Sequence, residues 1–403
     1  MLKKEILNNN PKNKKIRIAS IIDSLNTKFG GPPKAVIDQN IYFRQVRKYK
    51  AIIVNLDVKK NFPEITQNKI SVINFKRTFI GRIKIMGIGR YNINLKFFFW
   101  LIKNRNNFDY FVFHQIWDFK NILARLFLKN KYYIFAHGSL DPYEKKTILK
   151  YIKKKIYWHL FEKKNLLQAR SILLTSVQEE KNLKKTFVNT DGIKTEVTDY
   201  GITKADVDNK KINNTFKKKF PFLKSKNYYL FIGRIDPKKG LDVLIKSIEL
   251  LGAGYKGLFI IAGEDSNSYA QELKKMILLK NLGSKILFIG QIEGDEKYAA
   301  IINSKATILS THAENFAISL VESLSFSVPV LTTVGANIYK TILAYKAGYV
   351  ANINPISFSK IIKKFDNLST AKKNQMNKNA HRCFKKEFNL LDGKKFLISS
   401  MEK

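Results

Sequence analysis

A single cysteine, Cys383, serves the whole chain, so no intramolecular disulfide can form, and a reducing compartment fits. No zinc-type Cys/His cluster is present either. Long apolar runs are also missing: the strongest, Phe97 to Ile102, falls far short of the ~20 residues that cross a bilayer. Residues 1–15 are rich in Lys and Asn, contain no apolar signal core, and read as a disordered basic tail. The expectation is a cytoplasmic protein, soluble or peripheral on the inner face of the membrane.

Acidic residues are scarce. Asp and Glu number 32 against 73 Lys and Arg, a formal net charge of +41. Such a surface favours polyanions: anionic lipid head groups, nucleic acid or a phosphate-bearing substrate. The lysines, however, run the length of the chain beside abundant Asn and Ile, the trio an AT-rich coding sequence would give. Function and coding bias both account for the charge at this level.

What is present is enough for two cores. Hydrophobic residues make up 45% of 403, which suits two globular domains of roughly 200 residues each. Short apolar runs alternate with longer amphipathic segments, the pattern of parallel strands joined by crossover helices. Strands are predicted at 16–23, 51–57, 70–75, 110–116, 132–136 and 172–175, with a short run at 196–202. Lys204 to Lys219 reads as a polar linker or edge. A second alternation follows at 229–235, 258–263, 286–290, 306–310, 330–333 and 349–351. The predicted domains are residues 16–205 and 206–385, with a C-terminal helix over 386–403 that could cross back to the first domain. The fold class is α/β: two doubly wound Rossmann-like domains facing a central cleft, with ligand at their carboxyl edges.

Four segments carry chemistry. Thr311 to Glu322 follows the strand Ala306–Leu309 and places Glu314 in a loop and Glu322 in the second turn of a helix. The amides of Asn315, Phe316 and Ala317 would lie at the positive end of that helix, free to bind sugar or phosphate oxygens. Phe231 to Gly240 puts Arg234 at a strand end and Lys239 near a helix start, a planar fork and a mobile point charge suited to a diphosphate. Gly30 and Gly31, before Pro32 and Pro33, allow close backbone approach to a ligand. His137 ends another strand within Ile134 to Pro142, and His114 and Trp117 close a neighbouring one. Arg82 to Arg105, basic and aromatic, reads equally as a membrane-docking stretch or as a buried crossover helix with solvated lysines.

Taken together these segments resemble retaining glycosyltransferase family 4, the glycosyl transferases group 1, of GT-B fold. The resemblance spans nearly all of residues 16–385. It implies that Glu314 and His137 meet the donor sugar, Glu322 holds the ribose, and Arg234 and Lys239 stabilise the departing diphosphate. By the same resemblance Gly30 and Gly31 touch the diphosphate, the backbone near Ile292 holds the base, and His114 and Trp117 line the acceptor pocket, core packing being an equal reading for Trp117. The second Gly and the Pro of the family's Gly-x-Gly-Pro loop are missing after Gly263, where Glu264 and Asp265 stand, and so is its interdomain Pro-Asn-Gly turn. No Asp-x-Asp motif is visible, so neither metal nor cofactor is expected beyond a nucleoside diphosphate sugar as donor substrate. The implied function is a retaining glycosyltransferase, hexosyltransferase in type, acting on a glycan or lipid-linked acceptor in surface polysaccharide biosynthesis, with an anionic membrane surface as a further partner and no specific nucleic acid. The alternative is a basic protein binding membrane or nucleic acid, its GT-B donor site decayed.

Overall fold

The computed structural model describes residues 15–26, 31–58, 63–76, 93–140, 148–186, 190–198, 200–223, 227–391 and 401. The basic tail, Gly30, Asp141, Pro142 and residues 82–92 lie outside this set, as does most of the segment expected to form the C-terminal helix. The chain divides into two compact units, Met1–Thr198 with Phe396–Lys403, and Asp199–Lys395.

The first unit is built on a seven-stranded parallel sheet. Its strands are β1 (Ile16–Ile22), β2 (Tyr49–Asn55), β3 (Ser71–Asn74), β4 (Tyr110–His114), β5 (Tyr132–Phe135), β6 (Ser171–Leu174) and β7 (Thr195–Val197), in the order β3-β2-β1-β4-β5-β6-β7. Strands such as Tyr-Tyr-Ile-Phe in β5 are buried throughout, because crossover helices cover both faces of a parallel sheet. Asn94 caps the helix Leu95–Asn104, accepting from the Phe97 amide at 3.0 Å. In that helix Phe97 and Leu101 are buried, and Phe98 and Trp100 pack against the same core, leaving Leu95 and Phe99 exposed. The described part of the basic aromatic stretch is therefore largely core.

The second unit carries a six-stranded parallel sheet of β8 (Tyr228–Ile232), β9 (Leu258–Ala262), β10 (Ile286–Gly290), β11 (Ala306–Leu309), β12 (Val330–Thr333) and β13 (Gly348–Ala351), ordered β10-β9-β8-β11-β12-β13. Two expectations are corrected here. The stretch 204–219 is no mere linker: Asp208 caps the helix Asn209–Lys219, and Ile212 and Phe216, four apart, bury on one face of it. Its eight basic and amide neighbours, five lysines and three asparagines, concealed that two-residue stripe. The expected C-terminal helix does not run on from Phe384. Residues Phe384–Phe388 finish the helix Thr370–Cys383 as a π turn, and Asn389 then forms a parallel bridge with Ile202.

Both sheets reverse their winding at one point, between β1 and β4 in the first unit and between β8 and β11 in the second. At such switch points neighbouring loops diverge beyond the strand ends and open a crevice for ligands.

Candidate active site

At the second unit's switch point two loops are clasped together. After β8 the chain passes Arg234 to Asp236, whose carboxylate accepts from the Lys238 amide at 2.9 Å and caps the 3-10 turn Pro237–Lys239. Gly240 follows at φ +67°, and a Cβ there would lie 2.0 Å from the Ser310 carbonyl, so only glycine fits. From beyond β11, Ser310 Oγ donates to the Gly240 carbonyl at 2.7 Å, while Thr311 Oγ1 and the His312 amide donate to the Lys238 carbonyl at 2.8 and 2.9 Å. This clasp delivers Lys239 to Glu314, and the two form a hydrogen-bonded ion pair.

Glu314 is anchored by its backbone: its amide donates to the Gly335 carbonyl at 2.8 Å and its carbonyl accepts from the Asn337 amide at 2.9 Å. Burial alone would push the Glu314 carboxyl up. The charge and hydrogen bond of Lys239, helped by Lys238 and Arg234, outweigh it and hold the group below its ordinary value, so it is ionised at neutral pH. Lys239, Lys238 and Arg234 thus all bear on the Glu314 carboxylate, and Arg234 is exposed.

The helix Ile318–Ser325 begins after Ala317, which adopts φ +51°. Glu314 thus sits in the loop and Glu322 in the second turn. Asn315 accepts from Asn337 Nδ2 at 3.2 Å, while its own buried Nδ2 has no hydrogen-bond partner. The Phe316 ring is structural, edge-on to Tyr200 at 4.2 Å and against Phe388 at 5.7 Å, so that residue has only its backbone to offer a ligand. Glu322, almost fully buried, is ion-paired with Lys297 at 2.6 Å. Ile292 likewise puts its side chain into the core. Of the glycine loop after β9, Gly263 is required, since a Cβ would meet the Gly233 carbonyl at 2.2 Å.

The first unit brings its own expected residues together. His137, at φ +48°, lies two residues past the end of β5, and its Nε2 lies 2.9 Å from His114 Nδ1 at the end of β4. Gly138 donates its amide to Glu179 at 2.8 Å, and Glu179 also accepts from the Thr175 amide and hydroxyl, tying the loop after β5 to the end of β6. Burial first, then the charge of Lys120, pushes His137 down to about 3, and burial with His137 and Lys120 lowers His114 as well. Both rings are neutral at pH 7; one donates and the other accepts. Trp117, at φ +68°, donates its amide to Glu162 at 3.3 Å and packs against Tyr157 and Trp158. Gly31 is the first residue of the helix Gly31–Gln45.

Sequence reasoning missed three charged groups. Lys120 is buried between Asp23 at 2.9 Å and Asp118 at 3.2 Å, at the first unit's switch point. Burial opposes its charge, but the two carboxylates outweigh that and keep it protonated. Glu162, fully buried within the π turn Trp158–Glu162, is pushed up to about 7 by burial. Lys297 was one lysine among many. A chain with 73 basic residues hides the few that are buried; the one available signal was Asp118-x-Lys120 directly after a strand.

Residues 213–382 match the family described as glycosyl transferases group 1. The chain carries a group 1 glycosyltransferase domain. That domain contains Arg234, Lys239, Glu314 and Glu322. The O-antigen chain mannosyltransferase RfbU of Salmonella typhimurium is 23% identical over 218 residues, 54% of this chain and 57% of that one. The human alpha-1,3/1,6-mannosyltransferase ALG2 is 23% identical over 155 residues, 35% of this chain and 37% of its own. The matches thus span between 32% and 57% of the length of the curated relatives. Among solved structures, Anabaena HepE in complex with UDP-glucose superposes with a TM-score of 0.70 at 14% identity, covering 93% of this chain and 96% of that one. WaaG, a glycosyltransferase involved in lipopolysaccharide biosynthesis, gives 0.67 at 14%, over 93% and 97%. Alongside the two parallel sheets, these likenesses show the GT-B fold.

Proposed function

We propose that the protein is a retaining hexosyltransferase that takes a sugar from a nucleoside diphosphate donor and passes it to a glycan or lipid-linked acceptor in surface polysaccharide assembly. The observation that carries this reading is the Lys239–Glu314 ion pair, made across the second unit's switch point by the two clasped loops. Its cations suit a leaving diphosphate. As the glycosidic bond breaks, negative charge grows on the bridging oxygen, and Arg234 and Lys239, held in place beforehand, stabilise that charge without reorganising. Glu314 keeps Lys239 in position and, ionised, accepts from a sugar hydroxyl. Glu322 takes the ribose hydroxyls, with Lys297 fixing its carboxylate.

The similarity to an O-antigen mannosyltransferase supports a glycan acceptor, and the likeness to HepE bound to UDP-glucose supports a nucleotide-sugar donor. Neutral His137 offers its remaining ring nitrogen, Nδ1, as a hydrogen-bonding group rather than a cation. The test is transfer from a panel of UDP-, GDP- and ADP-sugars, with the product's anomeric proton coupling read by NMR. A product with the donor's anomeric configuration supports the reading; an inverted product refutes retention, and no transfer from any donor refutes the assignment.

A further inference from the structure

The segment Ile152 to Leu167 has an apolar ridge that faces outward. Ile152, Ile156 and Leu160 stand four residues apart, on one line of the helix Ile148–Tyr157 and its π turn Trp158–Glu162, at 48, 42 and 50% exposure. Leu167, at the end of the helix Lys163–Leu167, continues the exposed apolar surface. The opposite side is firmly seated: Tyr157, Trp158, Glu162 and Leu166 are buried, so the ridge is not exposed because the helix is loose.

Charge surrounds the ridge. Lys153, Lys155 and Lys164 are exposed, Lys163 is half-buried, and Lys154 lies over the Trp117 ring. The sole acid between Tyr151 and Arg170 is Glu162, which points into the core. An exposed face with apolar side chains along its crest, lysines beside it and no exposed acid within Tyr151 to Arg170 matches an anionic bilayer, where isoleucines enter the head-group layer and ammonium groups meet lipid phosphates. A second copy of the same face would bring like charges together. No described helix is long and apolar enough to cross a membrane, so any contact would be along the surface.

We propose that Ile152, Ile156 and Leu160, with Lys153, Lys155 and Lys164, form a docking surface for an anionic lipid bilayer. This places membrane contact on a different element from the aromatic stretch around Phe98 to Trp100. The inference stands apart from the transferase reading, because its test reads binding and not turnover.

The experiment is co-sedimentation of the full chain with vesicles of phosphatidylcholine alone or with about a third phosphatidylglycerol, at low and at physiological salt. Wild type should bind the anionic vesicles and hardly bind the neutral ones. The triple variant I152S/I156S/L160S should lose at least tenfold in partition at physiological salt, where screening over ~8 Å weakens the charges and leaves apolar insertion decisive. The variant K153Q/K155Q/K164Q should lose as much at low salt. All six changes are on the surface, and an unchanged melting curve confirms folding. Wild-type partition in the triple serine variant overturns the proposal. So does duplex DNA displacing the protein from vesicles as well as added anionic vesicles do, or a concentration-dependent dimer that the serine variant abolishes.

Discussion

Glu322 meets Lys297 at 2.6 Å, and the carboxylate is nearly inaccessible while the ammonium is about one-fifth exposed. Removing one member of such a pair strands the other's charge, at roughly 3 kcal/mol for well-buried pairs and less here because Lys297 reaches solvent. K297M should therefore lower the melting temperature by several degrees and raise the donor KM, since Glu322 loses the partner that orients it. Calorimetry and initial rates check both. An unchanged KM would separate Glu322 from donor binding.

Glu322 and Glu314 should also differ from each other. E322Q should raise the donor KM more than it lowers kcat, whereas E314Q, which frees Lys239 and sits beside the reacting sugar, should act chiefly on kcat. Equal KM effects with unchanged turnover would show that the two roles are divided wrongly.

Gly240 is demanded by the clasp. G240A adds a methyl 2.0 Å from the Ser310 carbonyl in a left-handed backbone conformation, so the loop must shift. The expected result is a drop in kcat of at least tenfold at modest loss of stability, measured on folded protein, because Lys239 moves with the loop. Wild-type kcat would mean that the clasp does not position Lys239.

The first unit should show two opposed pH dependences. Glu162 has its folded value raised from an ordinary 4.5 to about 7, so the native state holds its proton longer than the unfolded chain and stability falls as pH rises across that interval. His137 is lowered from 6.5 to about 3; the unfolded chain binds its proton first, and stability is lost as pH falls below 6.5. E162Q should remove the first slope, raising the melting temperature at pH 8 relative to wild type while leaving the acid limb in place. Parallel melting curves of E162Q and wild type from pH 5 to 8 would contradict this.

Much of this was legible in the chain. The strands of both sheets follow from apolar runs at crossover spacing, and the Glu314 to Glu322 segment is placed as its pattern suggests, because β11 and the loop after it are local features. Helix 209–219 was not legible, since Ile212 and Phe216 are too short a stripe to outweigh the lysines around them. Nor were Lys120 and Glu162: their burial depends on the packing of β1, β4 and the π turn, which no local pattern encodes. Phe98 and Trp100 left two readings open for the converse reason, as an aromatic helix between core strands looks the same as one that meets lipid until its neighbours are known.

The central claim, that Arg234 and Lys239 neutralise a departing nucleoside diphosphate, is tested most directly by the turnover of R234A, K239A and the double variant with the donor that wild type uses. Each single change should lower kcat about a hundredfold, since one preorganised charge at the leaving group is worth roughly 3 kcal/mol; R234A should leave the melting temperature nearly unchanged, while K239A, which strands the Glu314 carboxylate, should lower it modestly with the protein still folded. Wild-type turnover in folded R234A/K239A would contradict the account.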